Sequence, residues 1–116
     1  MRAALLVGPQ SGKGLAPAEA EVHGLRALLE LQSSRLAARI GPDGAPVLLA
    51  DQDRRRWDPA HMMRGFTALA RAESLVRSPG AYALQAEIAA CHARARTTEE
   101  TDWVRIAGLY EQLARL

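Results

Sequence analysis

Between Val47 and Pro59 the chain reads VLLADQDRRRWDP, and no other stretch constrains the fold as much. An apolar run stops at Asp51-Gln52-Asp53. Three arginines and Trp57 follow, and then Asp58-Pro59. Asp58 is a good helix N-cap, and Pro59 suits the first helical position, where an N–H has no intrahelical acceptor anyway. The stretch therefore ends whatever precedes it and starts a helix. Three uses are open to it: a chemical site, a remnant of a nucleotide site, or a joint locking a short strand onto a helix.

The rest of the pattern is helical. Alanine and leucine supply most of the apolar residues and β-branched residues are scarce, which favours helix over strand. Residues 1–17 hold Gly8, Pro9, Gly12, Gly14 and Pro17 and read as a flexible leader. Residues 18–116 read as one helical domain. Its first helix should span Ala18–Arg39, with Val22, Leu25, Leu29, Leu36 and Ile40 inward. The turn signal Gly41-Pro42-Asp43-Gly44 lies between Ala38-Arg39-Ile40 and Val47-Leu48-Leu49, which predicts a short β-hairpin. A helix should follow from Pro59 to about Arg77, with Met62, Phe66, Leu69 and Val76 buried, ended by Ser78-Pro79-Gly80. Another should run from Ala81 to Ala95, with Leu84, Ile88 and Cys91 inward. Thr101 or Asp102 should cap the last helix, whose apolar residues are Trp103, Ile106, Tyr110 and Leu113. Trp103-x-x-Ile106-Ala107-x-x-Tyr110 has the spacing of the first helix of a tetratricopeptide repeat. The second helix of that repeat does not follow before Leu116, so this helix is expected to seek a partner, a second copy included. The expected fold class is mainly α: about four helices in a small tetratricopeptide-like bundle, with a hairpin after the first.

Chemistry is poorly represented. Fifteen basic and 13 acidic residues leave a net charge of +2, too balanced for a concentrated nucleic-acid face. Arg54-Arg55-Arg56 beside Trp57 could stack on single strands, but Asp51, Asp53 and Asp58 would repel phosphate. Gly8–Gly14 imitates a phosphate loop, with Asp51 posing as the magnesium acid. Only three residues, where four are needed, separate Gly8 from the Gly-Lys pair, however, and Gly14 stands where a hydroxyl is needed. His23, His61 and His92 with the lone Cys91 are poor material for a metal site. Cys91 and His92 are adjacent and cannot face each other on a helix. No catalytic, cofactor or metal residues are assigned, and an enzyme is not expected. A single cysteine fits a reducing cytosol. No segment approaches the ~20 apolar residues that would span a bilayer. Asp53, Arg54 and Trp57 are expected to hold the joint. Tyr82 belongs to the third helix; Gln85 and His92 are expected to line a helix interface, and Trp103 and Tyr110 to anchor the last helix.

Five segments carry a resemblance: Glu21-Val22-His23-Gly24-Leu25, LQSSRLAAR (Leu31–Arg39), VLLADQDRRRWD (Val47–Asp58), YALQAEIAACHARA (Tyr82–Ala95) and TDWVRIAGLYEQL (Thr101–Leu113). Together they resemble the tetratricopeptide-like C-terminal extension of a subgroup of extracytoplasmic-function RNA polymerase sigma factors. The two promoter-binding domains of such factors are absent, so direct DNA binding is not implied. The resemblance implies a regulatory, protein-interaction role in transcription initiation, with sigma-factor domains or the polymerase as partners. The alternatives are a phosphate-loop-like nucleotide binder and a free-standing helical adaptor unrelated to transcription.

Overall fold

A computed structural model of the chain describes residues 9–116, with side chains from Leu15 onward. Four α-helices follow in order: α1 (Pro9–Ser33), α2 (Pro59–Leu75), α3 (Ala81–Arg94) and α4 (Trp103–Ala114). α1 packs on both α2 and α3, and α4 packs on α3. The helix-rich expectation holds. α1 begins inside the segment read as a leader and carries Pro17 within it, while Met1–Gly8 lie outside the described residues.

α1 has two apolar stripes, and the core takes the one with the smaller residues. Ala20, Gly24, Ala27, Leu28 and Leu31 are buried. Val22 and Leu29, expected inward, stand 67% and 54% exposed, and Leu36 and Ile40 are exposed as well. Both stripes have helical spacing; side-chain size decides between them. A Cβ on Gly24 would come within 2.7 Å of the Ala83 backbone nitrogen, so only glycine permits this approach of α3. Gly65 of α2 similarly makes room for Leu31. Ala27, Leu28, Leu31, Ala68, Leu69, Ala86 and Ala90 then form one core cluster, with Phe66 packed against it. Leu84, Ile88, Cys91, Ile106 and Leu109 form a second, which fastens α4 to α3.

The expected hairpin is absent: the described residues contain no strand, only an isolated antiparallel bridge between Ile40 and Pro46. The turn itself forms. The Gly41 N–H donates to Ala45 O at 2.8 Å, the Val47 N–H to Arg39 O at 2.7 Å, and Gly44 takes a positive φ of 81°. Pro42 and Pro46 cannot donate to a ladder. The flanking segments Leu36–Ala38 and Leu49–Asp51 wind into 3-10 turns instead of extending.

Candidate functional site

Trp57 is the centre of the joint. It is 5% exposed, and its indole N–H donates to Gln52 Oε1 at 3.2 Å. Gln52 Nε2 donates in turn to Val47 O at 3.2 Å, which ties the indole to the preceding loop. The Asp58 N–H donates to Ser34 O at 2.7 Å, joining the end of α1 to the start of α2. Asp58 accepts the N–H groups of Ala60 and His61, as its capping role requires. Arg54–Arg56 is a 3-10 turn capped by Asp53, whose carboxylate accepts the Arg55 N–H at 3.0 Å.

The three arginines do different things. Arg55 forms a bidentate pair with Asp53 and is exposed. That pairing, first through the Arg55 side chain and then through its backbone N–H, holds the Asp53 carboxyl below its usual pKa. Arg56 points to solvent. Arg54 alone turns inward. Its guanidinium lies 4.5 Å from the Trp57 ring centroid and donates to His92 O at 2.7 Å and Ala95 O at 3.3 Å. It thereby satisfies carbonyls at the C-terminal end of α3, where a cation also complements the helix dipole. Arg35 approaches the same ring, with its guanidinium carbon 6.0 Å from the centroid.

The His92 ring meets Trp103 edge to face, with centroids 5.5 Å apart. Burial, then the charges of Arg35 and Arg54, push the His92 pKa down. A base in this position is held neutral and packs as an aromatic.

The joint thus brings together Arg54, Trp57, His92 and Trp103. Tyr82 and Gln85 lie at the other end of α3, where Gln85 donates to its own helix at Ala81 O, 3.2 Å away. Asp51 is exposed at the end of its 3-10 turn rather than at a strand end. The phosphate-loop reading meets helical backbone from Pro9 onward, with Gly8 outside the described residues. Asp102 caps α4 by accepting the Arg105 N–H at 3.0 Å. Ile106 and Leu109 hold α4 in the core, whereas Trp103 and Tyr110 stand 51% and 56% exposed.

Several polar residues that sequence reasoning passed over prove structural. The Glu21 carboxylate accepts the Tyr82 and Ala83 N–H groups at 2.9 and 3.1 Å, capping α3 from α1. Glu87 is buried and accepts from Arg94 at 2.9 Å and Arg105 at 3.2 Å. It borders a cavity of about 300 Å³ between the end of α2, α3 and α4. In the same cavity Glu73 is pushed to a higher pKa, first by burial and then by the Glu87 charge. Glu30 pairs with His61 at 2.7 Å and Arg64 at 3.0 Å. These contacts join residues far apart in the chain, and no local pattern marks them.

Comparison with known proteins adds a family without an activity. The chain is 50% identical over 102 residues to an uncharacterized protein of Rhizobium meliloti (strain 1021), a match covering 88% of this chain and 24% of that protein. The chain therefore spans about a quarter of the length of that relative. No solved structure matches. The profile described as "Family of unknown function (DUF6596)" matches residues 2–73, which include α1, the joint and most of α2, and the chain belongs to that family.

Proposed function

We propose that the chain is a non-catalytic interaction module that acts in the cytoplasm in the control of transcription initiation. The observation that carries this reading is the outer face of α4. Trp103, Ala107 and Tyr110 share one side of the helix and are exposed, while Ile106 and Leu109 hold its other side in the core. Large aromatic residues spaced around a small one form a surface that a partner helix covers well. In addition, Trp103 is steadied by His92 rather than left loose, which lowers the entropy lost on binding. The resemblance to sigma-factor extensions supplies the partner class: sigma-factor domains or RNA polymerase.

The test is direct binding. The labelled chain is titrated with purified core polymerase, with and without a bound extracytoplasmic-function sigma factor, and followed by fluorescence anisotropy. Saturable binding that Trp103→Ala and Tyr110→Ala weaken at least about tenfold supports the reading. Binding to neither species removes the transcription role and leaves a helical adaptor. Light scattering in the same experiment reads self-association through α4, which those two substitutions should abolish.

A further inference from the structure

We propose that Arg35 and Arg54, which both lie against Trp57, form with the neighbouring Arg39 a receptor for a carboxylate supplied by an acidic segment of a partner polypeptide. This deepens the interaction reading above and rests on it for the origin of the segment. The first ground is the arrangement itself. One buried indole has two guanidinium carbons within 6.0 Å, from Arg35 at the end of α1 and Arg54 in the joint. Arg39, one turn beyond Arg35, donates to Gln32 O at 3.4 Å.

The second ground is where the chain's own carboxylates go. The ion pairs among the described residues are Arg55–Asp53, Arg64–Glu30, Arg94 and Arg105 with Glu87, Arg96–Glu100 and Arg115–Glu111, and Glu30 also bonds the His61 ring. None involves Arg35, Arg39 or Arg54. Met1–Gly14 contain no aspartate or glutamate, so no acid of this chain lies outside the described side chains. Asp58 is engaged as the cap of α2, and Asp53 as the partner of Arg55. Arg35 is half-buried and makes no side-chain hydrogen bond among the described residues, while Arg54 spends Nη1 on two carbonyls.

Electrostatics agrees. The Arg35 guanidinium is pushed below its ordinary pKa, first by burial and then by the charges of Arg39 and Arg54. The Glu99 charge acts on Arg54 in the opposite sense, without forming an ion pair with it. Half-buried like charges without a counter-ion are costly, and a planar oxyanion answers the guanidinium fork in two places at once. A single carboxylate fits better than a run of phosphates, because Asp51, Asp53 and Asp58 in the same joint repel a polyanion.

The experiment uses the full chain in low-salt buffer, where screening is least. Two blocked peptides are titrated, acetyl-Ala-Glu-Ala-Glu-Ala-amide and its glutamine counterpart, and the arginine Nε–H and tryptophan indole N–H signals are followed by NMR. The glutamate peptide should shift Arg35, Arg54 and Trp57 saturably, and the glutamine peptide should bind at least about tenfold more weakly. Arg35→Gln should weaken the glutamate peptide about tenfold. Because Arg35 also lies against Trp57, Arg39→Gln, which removes a single long hydrogen bond to Gln32 O, provides a second test should the first variant melt early. Equal binding of the two peptides overturns the proposal, as does an unchanged affinity in Arg39→Gln, or no shift at all. Inorganic phosphate or a single-stranded oligonucleotide binding more tightly than the glutamate peptide also overturns it. Peptide binding without polymerase binding leaves the receptor standing and removes the transcription role. Polymerase binding without peptide binding does the reverse.

Discussion

Glu21 caps a helix that begins 60 residues further along the chain. The carboxylate sits on the free N–H groups of Tyr82 and Ala83 in the first turn of α3, and a side chain at Gly80 would collide with it at 2.5 Å. Glu21→Ala should cost about 1–2 kcal/mol by urea denaturation, the range of a lost N-cap. Glu21→Gln keeps an acceptor but loses the charge on the helix dipole, and should cost less, about 0.5 kcal/mol. Equal losses for both variants would show that the charge, not the acceptor's shape, carries the cap there. His92 gives a pH prediction. Its folded pKa lies below the ordinary value of about 6.5, so folding favours the neutral ring. Its contribution to stability is therefore fully present above that ordinary value. It declines as pH falls through about 6.5 towards the folded pKa, because the unfolded chain binds the proton first. Melting temperature should fall on going from pH 7.5 to pH values below about 6, and His92→Gln should flatten that portion of the curve. An NMR titration of His92 with a midpoint above the ordinary value would defeat the argument.

At the scale of the element, α1 holds both the clearest success of sequence reading and its clearest failure. Its helical nature followed from alanine and leucine content, and the starts of α2 and α4 from Asp58-Pro59 and Asp102. Its inward face did not follow, because α1 is apolar on two sides and periodicity cannot rank them. What ranks them is a close approach to α3 at Gly24, and a contact with a residue 59 positions away leaves no local mark. The hairpin failed for a related reason: Gly41–Gly44 does turn the chain, but a ladder needs donors that Pro42 and Pro46 lack. The joint was legible in part. Asp53, Arg54 and Trp57 stood out, whereas Arg35 and Gln52 are ordinary polar residues until the fold sets them beside the indole. The two faces of α1 give a paired prediction. Leu31→Ala should cost about 2–5 kcal/mol through lost burial and the cavity left behind. Leu29→Ala, two residues away on the exposed stripe, should stay within about 0.5 kcal/mol. Gly24→Val should lose at least about 1–3 kcal/mol, since α1 and α3 cannot both keep their positions. Comparable losses at Leu29 and Leu31 in denaturant titrations would mean that the outer stripe is covered.

At the scale of the whole molecule, stability is unevenly shared. α1 packs on both α2 and α3, whereas α4 leans on α3 through Ile106, Leu109 and the partly buried Leu113. One polar tie adds to that apolar seam. The buried Glu87 carboxylate accepts two bonds from Arg105 of α4 and one from Arg94 of α3 through a single oxygen. Segments with few buried contacts open at a lower free energy than the global core. α4 should therefore detach without unfolding the rest, and the interaction face proposed for it would be repositioned at small cost. Native-state hydrogen exchange reads this directly. Amides of Ile106–Leu113 should exchange well before those of Leu28–Leu31 and Leu84–Ala90. Glu87→Gln removes the charge that holds Arg105 but leaves α1–α3 packing untouched. The exposed halves of both arginines then return to water, so the penalty is smaller than for a fully buried pair, about 1.4 kcal/mol. That corresponds to roughly tenfold faster exchange confined to α4, with the α1 core amides unchanged. If exchange rises equally throughout the chain, α4 is part of one cooperative unit and the detachable-helix picture fails.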